Sequence, residues 1–111
     1  MFFSVPSISP VEVARRLADE PESLRLVDIR PDDERAYSNI GGDHIPIHEL
    51  AGRLSELEAD RDRDLVIYCR SGHRSASVVT WLQARGFTHV RNLEGGINGW
   101  SRKVDSTVRA Y

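Results

Sequence analysis

Leu65-Val66-Ile67-Tyr68-Cys69-Arg70-Ser71-Gly72-His73-Arg74-Ser75 is the stretch that decides how this chain is read. Its first half is continuously apolar, which suits a central parallel strand covered on both faces. From Ser75 to Arg85 the pattern becomes helical, with Val78, Val79 and Leu82 inward and Gly86 as the stop. In an open α/β sheet, ligands bind in the groove outside the C-terminal strand ends. Cys69, the last strand residue, sits at that edge. Gly72 permits a positive φ, so that successive N–H groups can converge into an anion-binding nest. The helix beginning at Ser75 aims its positive end at the same point. Arg70, Arg74 and His73 add positive charge locally.

Outward from this unit the chain alternates short apolar strands with amphipathic helices, the α/β signature. Phe2-Phe3-Ser4-Val5 reads as a first strand. Ser9 is a helix N-cap with Pro10 at the first helical position, Glu12 completing a capping box, and Ile8 and Val13 forming a staple. Val11, Ala14, Leu17 and Ala18 supply that helix's apolar face. Leu24 to Ile29 is a strand, and Pro31-Asp32-Asp33-Glu34 is the acidic first turn of a short helix. Gly41-Gly42 is a turn, and Ile45-Pro46-Ile47 is an extended piece that its proline confines to an edge. Leu50, Ala51, Leu54 and Leu57 fall on one helical face. Thr88 to Leu93 is a last strand, and Gly95-Gly96-Ile97-Asn98-Gly99-Trp100 opens a terminal helix.

Size and charge narrow the function classes. With 111 residues there is room for one domain, residues 1–111, and 40% hydrophobic against 29% charged residues is an ordinary globular composition. Fifteen Lys plus Arg against 17 Asp plus Glu give a net charge of −2, which argues against binding nucleic acid or an anionic membrane surface. The longest apolar run is too short to span a bilayer, and the start of the chain lacks a secretory n-region, so a cytoplasmic location is expected. One cysteine excludes an internal disulfide.

A lone cysteine at a strand end is ordinarily a small core residue. Here thiol, glycine, two arginines, serines and a helix start concur within seven positions. Electropositive helix N-terminal sites lower a thiol from about 8.5 to roughly 3.5–7.5. A helix terminus contributes ~0.3–1 kcal/mol, and N–H bonds to sulfur together with a nearby guanidinium can add the rest. The stretch can therefore make Cys69 a nucleophile near neutral pH.

Cys69 to Arg74, a loop that opens on cysteine and reaches arginine five positions later, resembles the active-site loop of the rhodanese family of sulfurtransferases. Val27-Asp28-Ile29-Arg30 looks like that family's Asp-x-Arg strand, and Gly95-Gly96-Ile97 with Trp100 like its C-terminal glycine motif. Leu24 through Leu57 and the tail through Tyr111 are most similar to rhodanese domains fused to ubiquitin-activating-enzyme-like adenylyltransferases. Where the family carries Gly-His-Ile-Pro-Gly-Ala, Asn39-Ile40-Gly41-Gly42 lacks the proline and His44-Ile45-Pro46 aligns with the next proline segment, so no role is carried onto His44. The resemblance implies a three-layer α/β sandwich, a central parallel sheet of about five strands with helices on both faces. It also implies a persulfide mechanism on Cys69, without a cofactor, in which a small anionic sulfur donor such as thiosulfate, or a cysteine desulfurase, loads the thiolate. A ubiquitin-like sulfur-carrier protein is a fitting acceptor. Arg70, Ser71, Gly72, His73, Arg74 and Ser75 would bind the substrate; Arg74 could fold inward onto backbone carbonyls, Asp28 could orient a loop arginine, and Arg30 could extend the basic rim.

Three rivals remain. Cysteine-loop phosphatases and arsenate reductases place their arginine one residue later, where this chain has Ser75, and arsenate reduction commonly needs a second thiol. A non-catalytic rhodanese-like binding module would not need the intact loop. A metal site would draw on His44 and His48, but Pro46 between them opposes a shared helical face, and no metal is expected.

Overall fold

Leu65, Val66, Ile67 and Tyr68 are all buried, and they form the middle of the sheet. The computed structural model describes residues 5–111. Five parallel strands run in the order β1 (Ser7–Ile8), β5 (Val90–Leu93), β4 (Asp64–Tyr68), β2 (Leu24–Asp28) and β3 (Asp43–His44). Leu24 to Asp28 pair in register with Asp64 to Tyr68.

Because side chains alternate along a strand, Leu65, Ile67 and Cys69 point to one face while Val66 and Tyr68 point to the other. The first face packs against α3 (His73–Gln83) through Val78, Val79 and Leu82, and against the 3₁₀ helix Ala51–Asp60 through Leu57. The second packs against α1 (Pro10–Asp19) through Val13 and α4 (Gly96–Lys103) through Ile97 and Trp100. The expected sandwich with helices on both faces is thus the observed one, and Cys69 belongs to the face that carries α3. Among the described residues no helix is long and apolar enough to cross a membrane.

Several local expectations shift. Phe2, Phe3 and Ser4 of the expected first strand lie outside the described residues, and Val5 is not in a strand. The edge strand is Ser7–Ile8, fixed by Asn92 N–H donating to Pro6 O at 2.8 Å and Glu94 N–H to Ile8 O at 3.0 Å. Ser9 caps α1 by accepting from Glu12 N–H at 3.1 Å, but the Glu12 carboxylate turns to Arg15 rather than completing the box. The buried side of α1 is Pro10 and Val13 with Ala14 and Leu17 beside them, whereas Val11 and Ala18 face solvent. Pairing with β2 falls on Asp43–His44, one step before Ile45-Pro46-Ile47, since Pro46 already opens a 3₁₀ turn. Residues 51–60 wind as 3₁₀ rather than α helix. With three residues per turn Leu54 and Leu57 share a face, and Ala51 is exposed.

Candidate active site

The α3 helix starts at His73, two residues before the expected Ser75, because Gly72 at φ +102° is its N-cap. That conformation is cheap only for glycine, and glycine has no side chain with which to cap. The Cys69 sulfur takes the role. It accepts Gly72 N–H at 3.2 Å and Ser75 N–H at 3.4 Å, and the Ser75 hydroxyl lies 3.2 Å away. The expected nest therefore exists, with the helix terminus supplying part of it.

The other end of the loop is held by α4. Ile97 N–H donates to Cys69 O at 2.9 Å and Asn98 N–H to Arg70 O at 3.0 Å. These bonds occupy the first two loop carbonyls, while N–H groups from the loop and helix start face the sulfur. The approach is so close that a Cβ on Gly96 would stand 2.5 Å from Arg70 O and 2.6 Å from Cys69 O. The Gly95-Gly96 motif is thus part of the site's construction.

Two effects oppose each other at the thiol. Burial of Cys69 pushes it up, but the Ser75 hydroxyl and the N–H groups of Ser75, Gly72 and Ser71 outweigh burial and hold it below the ordinary cysteine value. The residue is buried, and its sulfur is surrounded by donors rather than by hydrocarbon alone.

The arginines divide. Arg74 does not fold onto backbone carbonyls; it forms a two-pronged pair with Glu34 at 3.0 and 3.1 Å, because α2 (Asp32–Tyr37) brings that carboxylate opposite it. Arg70 is exposed, and its guanidinium lies 4.9 Å from the centre of the Tyr111 ring. Ser71 and His73 are exposed and hydrogen-bonded to each other at 3.1 Å.

Asp28 and Arg30 also depart from expectation. Arg30 is no rim residue; it is wholly buried, with Asp28, at 2.8 Å. All five of its side-chain N–H donors are placed, on both Asp28 oxygens, the carbonyls of Glu34 and Ser38, and the Tyr111 hydroxyl. Its partners hold it above the usual arginine range against the opposing effect of burial. Asp28 orients Arg30 and, at 3.4 Å, Arg35, neither of them in the Cys69 loop. His44 bonds the Arg30 carbonyl at 2.6 Å, and His48 stands apart beside Glu49 at 3.5 Å.

Asn92, Glu34 and Tyr111 were not singled out by the sequence as site residues. Asn92 accepts the Ser75 hydroxyl at 2.5 Å and donates to Gly72 O at 3.0 Å. Nothing in the pattern of β5 marks it except a polar residue within a buried strand.

A thiol at the C-terminal end of a central parallel strand, cupped by the start of the following helix, defines an α/β thiol-loop domain. The chain belongs to the rhodanese-like family, whose domain model matches residues 9–103. It is 42% identical over 99 residues to a sulfurtransferase of Allochromatium vinosum, covering 88% of this chain and 90% of that protein. It is 34% identical over 103 residues to the maize adenylyltransferase and sulfurtransferase MOCS3-1, covering 87% of this chain but 22% of the maize protein. Among solved structures, a rhodanese-like domain protein of Staphylococcus aureus has a TM-score of 0.79 at 29% identity, covering 96% of this chain and 99% of that one. The human single-domain sulfurtransferase TSTD1 has a TM-score of 0.76 at 27% identity, covering 90% and 98%.

Proposed function

We propose that the protein is a rhodanese-type sulfurtransferase that carries sulfane sulfur as a Cys69 persulfide. The arrangement of N–H donors around the Cys69 sulfur carries this reading, and relatives named sulfurtransferase over nearly their whole length support it.

The Cys69 thiolate attacks the outer sulfur of thiosulfate. A new S–S bond forms, the bond to the sulfonate sulfur breaks, and its electron pair leaves with sulfite. Charge balances, since one thiolate and a dianion give one persulfide anion and a dianion. A nucleophilic acceptor such as cyanide then takes the terminal sulfur and returns the thiolate. The loop N–H groups favour the anion at each stage, as preorganised donors do. Arg70 attracts the donor, while Ser71 and His73 border the loop.

A persulfide of low molecular weight or a cysteine desulfurase could serve as donor, and a ubiquitin-like sulfur carrier as protein acceptor, in the cytoplasm. The maize relative, whose name joins adenylyltransferase and sulfurtransferase, supports the carrier reading by analogy. A phosphatase loop places its arginine one residue beyond Arg74, where this chain has Ser75, and Arg74 itself is engaged by Glu34. The test is thiocyanate formation from thiosulfate and cyanide. Turnover by the native chain and none by Cys69→Ser is expected; equal rates would refute the reading, and steady aryl phosphate hydrolysis would favour its rival.

A further inference from the structure

Tyr111 is fixed from several directions. Its backbone N–H donates to Asn98 Oδ1 at 3.1 Å, and Asn98 Nδ2 donates back to its carbonyl at 3.0 Å. Its hydroxyl accepts from Arg30 at 2.9 Å and donates to Glu34, and its ring meets Tyr37 edge-on at 5.5 Å. Arg70 lies against this held ring, 4.9 Å from guanidinium carbon to ring centre. Among the described residues Arg74 is neutralised by Glu34, while Arg70 forms no ion pair. Arg70 is thus the loop cation left to an incoming anion, and the surface that orients it is Tyr111.

We infer that Tyr111 is a positioning residue for Arg70, and that through Arg70 it sets the preference of the Cys69 site for anionic over neutral reagents. A guanidinium on a flexible stem spends its charge over many positions; stacking on a fixed aromatic ring confines it, and so concentrates its field beside the loop. The inference deepens the proposed function and rests on it for the anionic donor, but it can be tested without sulfur transfer.

The probes are iodoacetate and iodoacetamide, which alkylate a thiol alike and differ in charge. In the native chain the ratio of their rates at Cys69 should exceed that for a small neutral thiol. Tyr111→Leu should lower that ratio about three- to tenfold, the size of one unit charge displaced by a few ångströms near a surface. Arg70→Ala should lower it as far, and Tyr111→Leu added to Arg70→Ala should change nothing more. Tyr111→Phe keeps the ring and should stay within about twofold of native. Asn98→Ala, which releases Tyr111 while keeping the backbone bond from residue 98 to Arg70, should act like Tyr111→Leu and serves if that variant folds poorly. With thiosulfate, Tyr111→Leu should raise KM and leave kcat near native. An unchanged ratio in both Tyr111→Leu and Asn98→Ala, or equal loss with both reagents, would overturn the role of Tyr111 alone. A native Cys69 that reacts with neither reagent would overturn the proposed function as well.

Discussion

The Ser75 hydroxyl stands between Cys69 and Asn92, 3.2 Å from the sulfur and 2.5 Å from Asn92 Oδ1. A hydroxyl has one proton. While Cys69 is a thiol, its own proton can go to Ser75 and the Ser75 proton to Asn92. Once Cys69 is a thiolate, the Ser75 proton is best turned to sulfur.

Ser75→Ala removes that donor and keeps the Ser75 backbone N–H. Hydrogen bonds to a charged group are worth ~1.5–3 kcal/mol. The Cys69 titration should move upward, and alkylation at neutral pH should slow by roughly tenfold. Rates of iodoacetamide modification across pH measure this, and an unmoved midpoint would assign the thiolate to the backbone donors alone.

Asn92→Asp should act in the same direction for a different reason. A carboxylate there holds the Ser75 proton and puts a negative charge near the sulfur, and it gives up the bond to Gly72 O. The Cys69 midpoint should rise and persulfide loading should slow, both by more than in Asn92→Ala.

Gly96→Ala should damage the loop without touching a reactive group. The added methyl meets the carbonyls of Arg70 and Cys69 at about van der Waals-violating range, and φ at this position is +59°. A loss of about 1–3 kcal/mol in unfolding free energy, with slower Cys69 alkylation, is expected. Urea denaturation and the alkylation rate together check it.

Arg30→Met breaks a fully buried, fully bonded pair and leaves Asp28 with only the backbone N–H of residue 30 and the longer contact to Arg35. The expected loss is about 3–5 kcal/mol of stability, seen in denaturant melts. A loss below about 1 kcal/mol, the size found for exposed ion pairs, would contradict a stabilising role for the pair.

Glu34 gives a pH signature. Arg74 holds its carboxyl below the usual glutamate value, against burial and aided by the Tyr111 hydroxyl. A lowered folded-state value means the stabilisation is full above the unfolded value of about 4.3 and is lost as pH falls through the folded one. The stability difference between native and Glu34→Gln should therefore be steady near neutrality and shrink below about pH 4. A difference that does not change with pH would contradict it.

Much of this was legible in the sequence. The uninterrupted apolar run before Cys69 marked the central strand, and the Ser9-Pro10 cap marked α1. The thiol, Gly72 and the helix start were adjacent in the chain, so one local reading found them together. The supports around the loop were not legible, because their parts come from far along the chain: Glu34 meets Arg74 across forty positions, and the buried Arg30 meets Tyr111 across eighty-one. Nor does Asp-x-Arg show whether its arginine faces water. Arg30 is drawn inward because its own backbone N–H and its Nε both bond Asp28 Oδ1, at 3.0 and 2.9 Å. Helix type between Ala51 and Asp60 was hidden because Leu54 and Leu57, three apart, fit either winding.

Intact mass of the chain after thiosulfate treatment tests the account at its centre. The native protein should gain the mass of one sulfur atom, lose it on adding cyanide, and show no gain when Cys69 is replaced by serine. A native chain that stays at its starting mass with thiosulfate and with low-molecular-weight persulfides, or that gains sulfur equally without Cys69, would contradict it.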